Sequence, residues 1–352
     1  MKYIKLKDVC KINMGQSPDS SSYNESGEGI PFFQGNADFG DRYPVTRIWC
    51  SEPKKVAQEN DILISVRAPI GAINYSKEKC CIGRGLAALT VDKTKISEKL
   101  LFWVLKAKKE ELNRQGTGST FKAISKKSLE ELLIPQIDIK EQEKDVEILE
   151  KIYMIIQNKH KELKLLTDLI SARFVEMFGD PIRNTQNRPT TKLINVVKMQ
   201  RGFDLPVQDR NQDGNIPVYG ANGVLDSHNT ARIHGGGVIT GRSGTIGKVF
   251  YTEGDYWPLN TSLFSVDKHG NNVIYLAYLL QMFDLTRFVE GTGVPTLNRN
   301  MFHNRQIIDV PINEQNQFAA FVQQVNKSKF EVQKSLEKTQ LLFDSLMQEY
   351  FG

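Results

Sequence analysis

Leu6-Lys7-Asp8-Val9-Cys10-Lys11-Ile12-Asn13-Met14-Gly15 decides the reading of this chain, because it is written again as Leu193-Ile194-Asn195-Val196-Val197-Lys198-Met199-Gln200-Arg201-Gly202, 187 residues on. Leu, Val, Lys and Gly keep their places. Working outward, Ile30-Pro31-Phe32-Phe33 returns as Ile216-Pro217-Val218-Tyr219, and Asn36 as Asn222. Arg67 ahead of Ile70-Gly71 returns as Arg242 ahead of Ile246-Gly247, and Gly116-Thr117-Gly118 as Gly291-Thr292-Gly293. Both copies close on Phe-Gly, at Phe178-Gly179 and Phe351-Gly352, and the offset falls to 173 without scrambling the order. Self-similarity on this scale means two copies of one domain-sized unit. Two similar but non-identical halves suit a ligand with two similar, non-identical parts.

The 352 residues hold two domains of ordinary size plus connectors. Hydrophobic content of 40% and charged content of 25% are those of a globular protein in water. No run of eighteen apolar residues occurs, and Met1-Lys2-Tyr3-Ile4-Lys5 does not read as a signal peptide, so a cytoplasmic protein without a membrane partner is expected. Cys10, Cys50, Cys80 and Cys81 lack Cys-x-x-Cys spacing and a nearby His cluster. They read as reduced structural thiols, with no metal and no cofactor expected.

The net charge of +5 is unevenly spread. Residues 1–137 carry 22 Lys+Arg against 16 Asp+Glu, and residues 181–311 carry 13 against 10, whereas 138–180 (7 against 10) and 312–352 (4 against 5) are acidic. Basic blocks alternating with acidic segments point to a polyanion met by the blocks alone, the alternative being a random excess of lysine.

Residues 1–137 and 181–311 read as two similar α/β domains. Short apolar runs such as Asp61–Val66, Leu86–Val91, Gly237–Thr240 and Thr261–Val266 read as strands, and 97–113 and 272–289 as one helix each. Each block ends in an apolar segment closing on proline, Pro135 or Pro311, and a long helix follows. The first helix, in segment 138–180, starts with Asp138 as N-cap and Glu141 three residues on, and stops at Gly179 with Pro181 beyond. Val146, Leu149, Ile152, Ile156, Leu163, Leu166, Ile170, Phe174 and Met177 form its apolar stripe. The second helix, in segment 312–352, carries Phe318, Val322, Val325, Val332, Leu336, Phe343 and Leu346. About forty residues make a rod of roughly 60 Å, too long to bury its stripe unaided. The fold class expected is α+β: two α/β domains joined by two long antiparallel helices in a coiled coil, with a pseudo-twofold internal repeat. The alternative is a helix folded back on its own block.

No catalytic pattern emerges. Gly241-Arg242-Ser243-Gly244-Thr245-Ile246-Gly247-Lys248 fails as a phosphate loop, with Arg242 where the motif needs Gly and Val249 where it needs Ser or Thr. No Asn-Pro-Pro-aromatic or Asp-Pro-Pro-aromatic segment exists to hold a flipped base, and the five histidines show no metal or nucleophile spacing.

The paired Leu-x-x-Val-x-Lys-(x)3-Gly openings, the Ile-Pro-x-aromatic and Gly-Thr-Gly segments and the proline entries to two helices resemble the specificity subunit of type I restriction–modification enzymes. The resemblance covers the whole chain and rests on repetition in fixed order. It implies that each block is a target recognition domain reading one half of a split double-stranded DNA sequence. It also implies that the helices set the unread spacer and dock two methyltransferase (M) subunits, with restriction/translocase (R) subunits joining for cleavage. Methyl transfer and cutting then belong to those partners, and this chain is not an enzyme.

Candidate DNA-contacting residues follow from loop positions. Arg67 and Arg242, the latter beside Ser243, suit guanine O6/N7 or a phosphate, unless a local carboxylate pairs with them. Gln34, Asn36 and Asn222 suit adenine, unless they serve turn chemistry. Arg84 sits in a Gly-Arg-Gly turn that lets backbone approach phosphate. Arg114, Ser119, Thr120 and Lys122 flank the first Gly-Thr-Gly; Thr292, Thr296, Asn298 and Arg299 lie in or after the second, and phosphate contact is expected of all eight. Gln16, Ser17 and Arg201 beside the motif glycines are weaker candidates, since a loop glycine usually answers a turn requirement. The competing classes are a self-contained DNA-modifying enzyme and an oligomerising interaction protein.

Overall fold

The Leu-x-x-Val repeat folds the same way twice. The computed structural model describes residues 2–117, 122–136, 139–291 and 295–351, with side chains of the helix beginning at 139 described from 143 onward. Leu6–Asp8 and Leu193–Val196 each form one helical turn. Leu6, Val9, Leu193 and Val196 are all buried, which is why these letters recur. The chain divides into two compact units, Met1–Asn158 with Leu336–Gly352, and Lys159–Ser335.

In the first unit β1 (Cys10–Met14), β2 (Ile62–Ser65), β3 (Ile73–Tyr75) and β4 (Leu86–Val91) form an antiparallel sheet in the order β1-β4-β2-β3. Every residue of β2 is buried, which is why Ile62-Leu63-Ile64 are apolar in succession rather than alternating with polar residues. Helix α1 (Glu98–Ala107) opens with the Ser97 hydroxyl accepting from the Leu100 amide at 3.1 Å. The single helix expected over 97–113 is corrected: Lys108 leaves helical geometry at ψ 8°, and a second helix occupies Lys109–Gln115. Helix α2 (Ile139–Phe178) gives its first half to this unit.

The second unit repeats the sheet. β5 (Lys198–Arg201), β6 (Gly237–Gly241), β7 (Val249–Thr252) and β8 (Ser262–Asp267) take the order β5-β8-β6-β7. Helix α3 (Val273–Phe283) starts on Asn272, whose Oδ1 accepts from the Ile274 and Tyr275 amides. Its expected extension to 289 is also corrected, because Asp284 turns left-handed at φ 53° and ends it. Both Ile-Pro-x-aromatic segments pair in parallel with a short strand, Phe32 opposite Cys81 and Val218 opposite Trp257.

The last helix, α4 (Ile312–Phe351), runs antiparallel to α2 within each unit. In the first, the Tyr153 and Phe343 rings lie 6.4 Å apart. In the second, Lys159 Nζ donates to Ser335 Oγ at 2.8 Å, Lys329 Nζ to Thr167 Oγ1 at 2.9 Å, and Phe174 packs edge-on against Phe318 at 5.4 Å. Numbers rise on one helix as they fall on the other. Val146, Leu149, Ile152 and Ile156 are buried in the first unit, and Ile170, Phe174, Phe318, Val322 and Val325 in the second. Each such side chain contributes about 1.5–3 kcal/mol. Neither helix folds back on its own block alone, since each divides between the units. Gly179, at φ 76°, donates to the Val175 carbonyl at 2.8 Å and stops α2 as its position predicts. The Asp138 cap lies outside the described residues.

Cys10, Cys50, Cys80 and Cys81 are buried and free, and burial pushes the Cys80 thiol up to about 11. Among the described residues no helix is long and apolar enough to cross a membrane.

Candidate nucleic-acid interface

The repeated arginines leave equivalent strands, Arg67 after β2 and Arg242 after β6. Each is tied by backbone bonds to the segment that follows its Gly-Thr-Gly. The Ala68 amide donates to the Lys122 carbonyl at 3.1 Å, and the Leu297 amide to the Arg242 carbonyl at 2.8 Å. An open cleft lies beside each arginine.

In the first unit the cleft measures about 470 Å³ and gathers Gln34, Asn36, Arg67 and Arg84, with Asp38 and Ser65. Its wall depends on two glycines. A Cβ on Gly85 would lie 2.4 Å from the Gln34 carbonyl oxygen, and one on Gly83 3.1 Å from the Gln34 Cα. Glycine at 83 and 85 lets this turn lie so close to the Gln34 backbone. The Gly83 amide donates to the Phe33 carbonyl at 2.8 Å and the Gly85 amide to the Gln34 carbonyl at 3.2 Å. Ser65 Oγ donates to the Arg67 carbonyl at 2.9 Å, and the Arg84 amide to Ser17 Oγ at 3.4 Å, which brings Ser17 alongside. The Gln16 backbone amide donates to the Ile82 carbonyl at 3.0 Å.

Arg67 and Arg84 are exposed, and neither guanidinium has an ion-pair partner among the described residues. The nearby carboxylate is already engaged: Asp38 accepts from the Gln34 amide at 2.7 Å and the Gly35 amide at 3.3 Å. Among the described residues no local carboxylate pairs with either arginine.

The second unit's cleft, about 370 Å³, gathers Arg201, Arg242, Thr296, Asn298 and Arg299, with Glu290 and Asn300. Asn298 caps the short helix Arg299–His303, its Oδ1 accepting from the Asn300 amide at 3.0 Å. Its Nδ2 donates to Glu290 at 2.7 Å, so its amide is spent on structure. Arg201 Nε donates to the Asn260 carbonyl at 3.3 Å. Arg242 and Arg299 have no ion-pair partner among the described residues. Beneath them His303 is buried, and its Nε2 accepts from the Met199 amide at 3.0 Å. Burial first, then Arg299 and Lys198, pull its pKa below the ordinary value.

Not every candidate reaches a cleft. Arg114 turns back to the Glu110 carbonyl at 3.4 Å, and Lys122 joins through its carbonyl while its side chain stays exposed. Asn222 sits at a hairpin tip and accepts from Lys248 Nζ at 3.4 Å, unlike Asn36, which opens a helical turn. Ser243 bridges to Thr296 by backbone. Ser119, Thr120 and Thr292 lie outside the described residues. Sequence reasoning missed Asp38, Glu290 and Asn300. An Asp four residues after Gln34 is a turn-capping signal that reveals Asp38; nothing local marks Glu290.

Two clefts lined by guanidiniums without ion-pair partners among the described residues offer the chemistry that suits anionic oxygens, charge-assisted and often bidentate bonds. Residues 1–167 and 189–341 match the model of one protein family, described as "Type I restriction modification DNA specificity domain". The chain belongs to this family. As a type I specificity protein it is 47% identical over 152 residues to the MjaX type I restriction enzyme specificity subunit of Methanocaldococcus jannaschii, a stretch of 43% of this chain and 36% of that one. It is 25% identical over 195 residues to the MjaIX specificity subunit of the same organism, covering 52% and 45%. The chain thus spans less than half the length of the curated relatives it matches. The solved S subunit of a type I restriction–modification system from M. genitalium aligns over 100% of this chain and 96% of its own at TM-score 0.67. At 15% identity that likeness shows the fold alone.

Proposed function

We propose that this type I specificity protein is the non-catalytic DNA-reading subunit of its complex, with each domain reading one half of a bipartite target. The observation that carries the reading is that Arg67 and Arg242, each just past the end of an equivalent strand, line a cleft and have no ion-pair partner among the described residues. Phosphate backbones supply that missing charge, and the amides beside the arginines supply base-edge contacts. The two long helices set the unread spacer and dock two M subunits; R subunits join for cleavage, and both chemistries reside in those partners. The protein would act in the cytoplasm, where the chromosome lies.

The test is co-production with the cognate M subunit, followed by sequencing of methylated adenines. One bipartite motif is expected with both chains and none with either alone. Methylation by this chain alone, or none with both, would overturn the reading.

A further inference from the structure

We propose that Gln34 is the adenine-reading side chain of the first domain, and that Asp38 is the positioning residue that holds it. The inference rests on the proposed DNA-reading role and extends it to one base contact. Gln34 lies immediately after the strand Ile30–Phe33, on the wall of the first cleft. Its backbone is held from both sides. The amide donates to Asp38 at 2.7 Å, and the carbonyl accepts from the Gly85 amide at 3.2 Å. The next amide, that of Gly35, also donates to Asp38, at 3.3 Å.

The side chain is the opposite case. It is exposed, and its carboxamide has no hydrogen-bond partner among the described residues. A fixed backbone carrying a free carboxamide is what a preorganised reader requires, because little remains to be ordered on binding. The carboxamide offers one donor and one acceptor in a plane, which matches N7 and the N6 amino group of adenine. Arg67 and Arg84 line the same cleft and supply the charge that draws the strand in.

The second domain differs here. Gly220 occupies the place of Gln34, so the strand Ile216–Gly220 ends without a reading side chain. Asn36, the other amide of the first cleft, is partly covered within a helical turn. Among the described residues only the first domain therefore presents this contact, which suits a target whose halves differ.

The experiment uses the full chain with its M subunit and reads the methylated motif by sequencing. Wild type is expected to give one bipartite motif. Gln34→Ala is expected to relax a single adenine position in one half by about ten- to a hundredfold, the worth of a good bidentate pair. Gln34→Glu replaces the donor by a second acceptor and is expected to move that position toward cytosine, whose N4 amino group donates. Asp38→Asn weakens the acceptor and is expected to relax the same position while the other half stays sharp. A purely structural role for Asp38 would lower methylation at all positions alike, and that result overturns its assignment. An unchanged motif in both Gln34 variants overturns the reader while leaving the DNA-reading role intact. Absence of any motif in wild type overturns both.

Discussion

Trp103 donates its indole N–H to Glu150 Oε1 at 2.9 Å, joining α1 to α2. The other oxygen of Glu150 takes the Arg42 guanidinium. Arg42 lies 4.9 to 5.8 Å from the rings of Tyr153, Phe102, Trp103 and Tyr75. The first domain is thus fastened to its helix by a charged residue in an aromatic cage. The second domain does the same work with Phe174, Phe178, Tyr275 and Phe318.

Removing Glu150 strands both an indole N–H and a half-buried guanidinium. Glu150→Ala is expected to cost about 1.5–3 kcal/mol, the range for hydrogen bonds to charged groups. Urea unfolding checks the value. Arg42→Ala combined with it is expected to cost clearly less than the two singles together, because they share one interaction.

Arg67 and Arg242 are expected to act on DNA affinity through phosphate charge. For each Arg→Ala variant, the slope of log affinity against log salt becomes shallower by about one unit per phosphate lost. Arg→Lys separates the two possible roles. Lysine retains the salt slope in either case, but discrimination between sequences falls only where arginine reads guanine bidentately. Titrations of duplex DNA at several salt concentrations supply both numbers.

His303 makes the second domain acid-sensitive. Its folded pKa lies below the ordinary value of 6.5, because burial and the cations Arg299 and Lys198 disfavour the charged ring. The unfolded chain therefore binds the proton more readily than the folded one. The stabilising contribution is complete above pH 6.5 and is lost as pH falls from there toward the folded value. His303→Gln, compared with wild type by urea midpoints at pH 7.5 and 5.5, is expected to lose less stability over that drop.

The motif glycines answer backbone crowding. A Cβ on Gly15 would lie 2.2 Å from the Gly83 carbonyl oxygen, and one on Gly202 2.3 Å from the Leu259 carbonyl oxygen. Gly15→Ala and Gly202→Ala are each expected to destabilise by about 1–3 kcal/mol, as overpacking does. Thermal melting is the check, and equal stability to wild type would contradict the steric account.

Much of the fold was legible because its signals are local. The Leu-x-x-Val letters recur since the same turn buries the same side chains in each half, and β4 matched its apolar run end to end. Two helix ends were not legible. Lys108 and Asp284 break their helices without a Gly or Pro to announce it, and Asp284 adopts a left-handed conformation that few side chains accept.

The sequence by itself determined the duplication, the burial of the motif letters and the two long amphipathic helices, because each is a short-range pattern of size and polarity. Only tertiary structure decided which candidates meet. Gln34, Arg67 and Arg84 come from three separate segments and share a cleft because glycines let backbones approach, while Arg114 and Asn222 end elsewhere. It also decided which polar groups are already spent. Asn298 and Gln34 look alike in the chain, yet one caps a helix and pairs with Glu290 while the other has its carboxamide free. That difference depends on partners brought in from distant sequence, which no local pattern encodes.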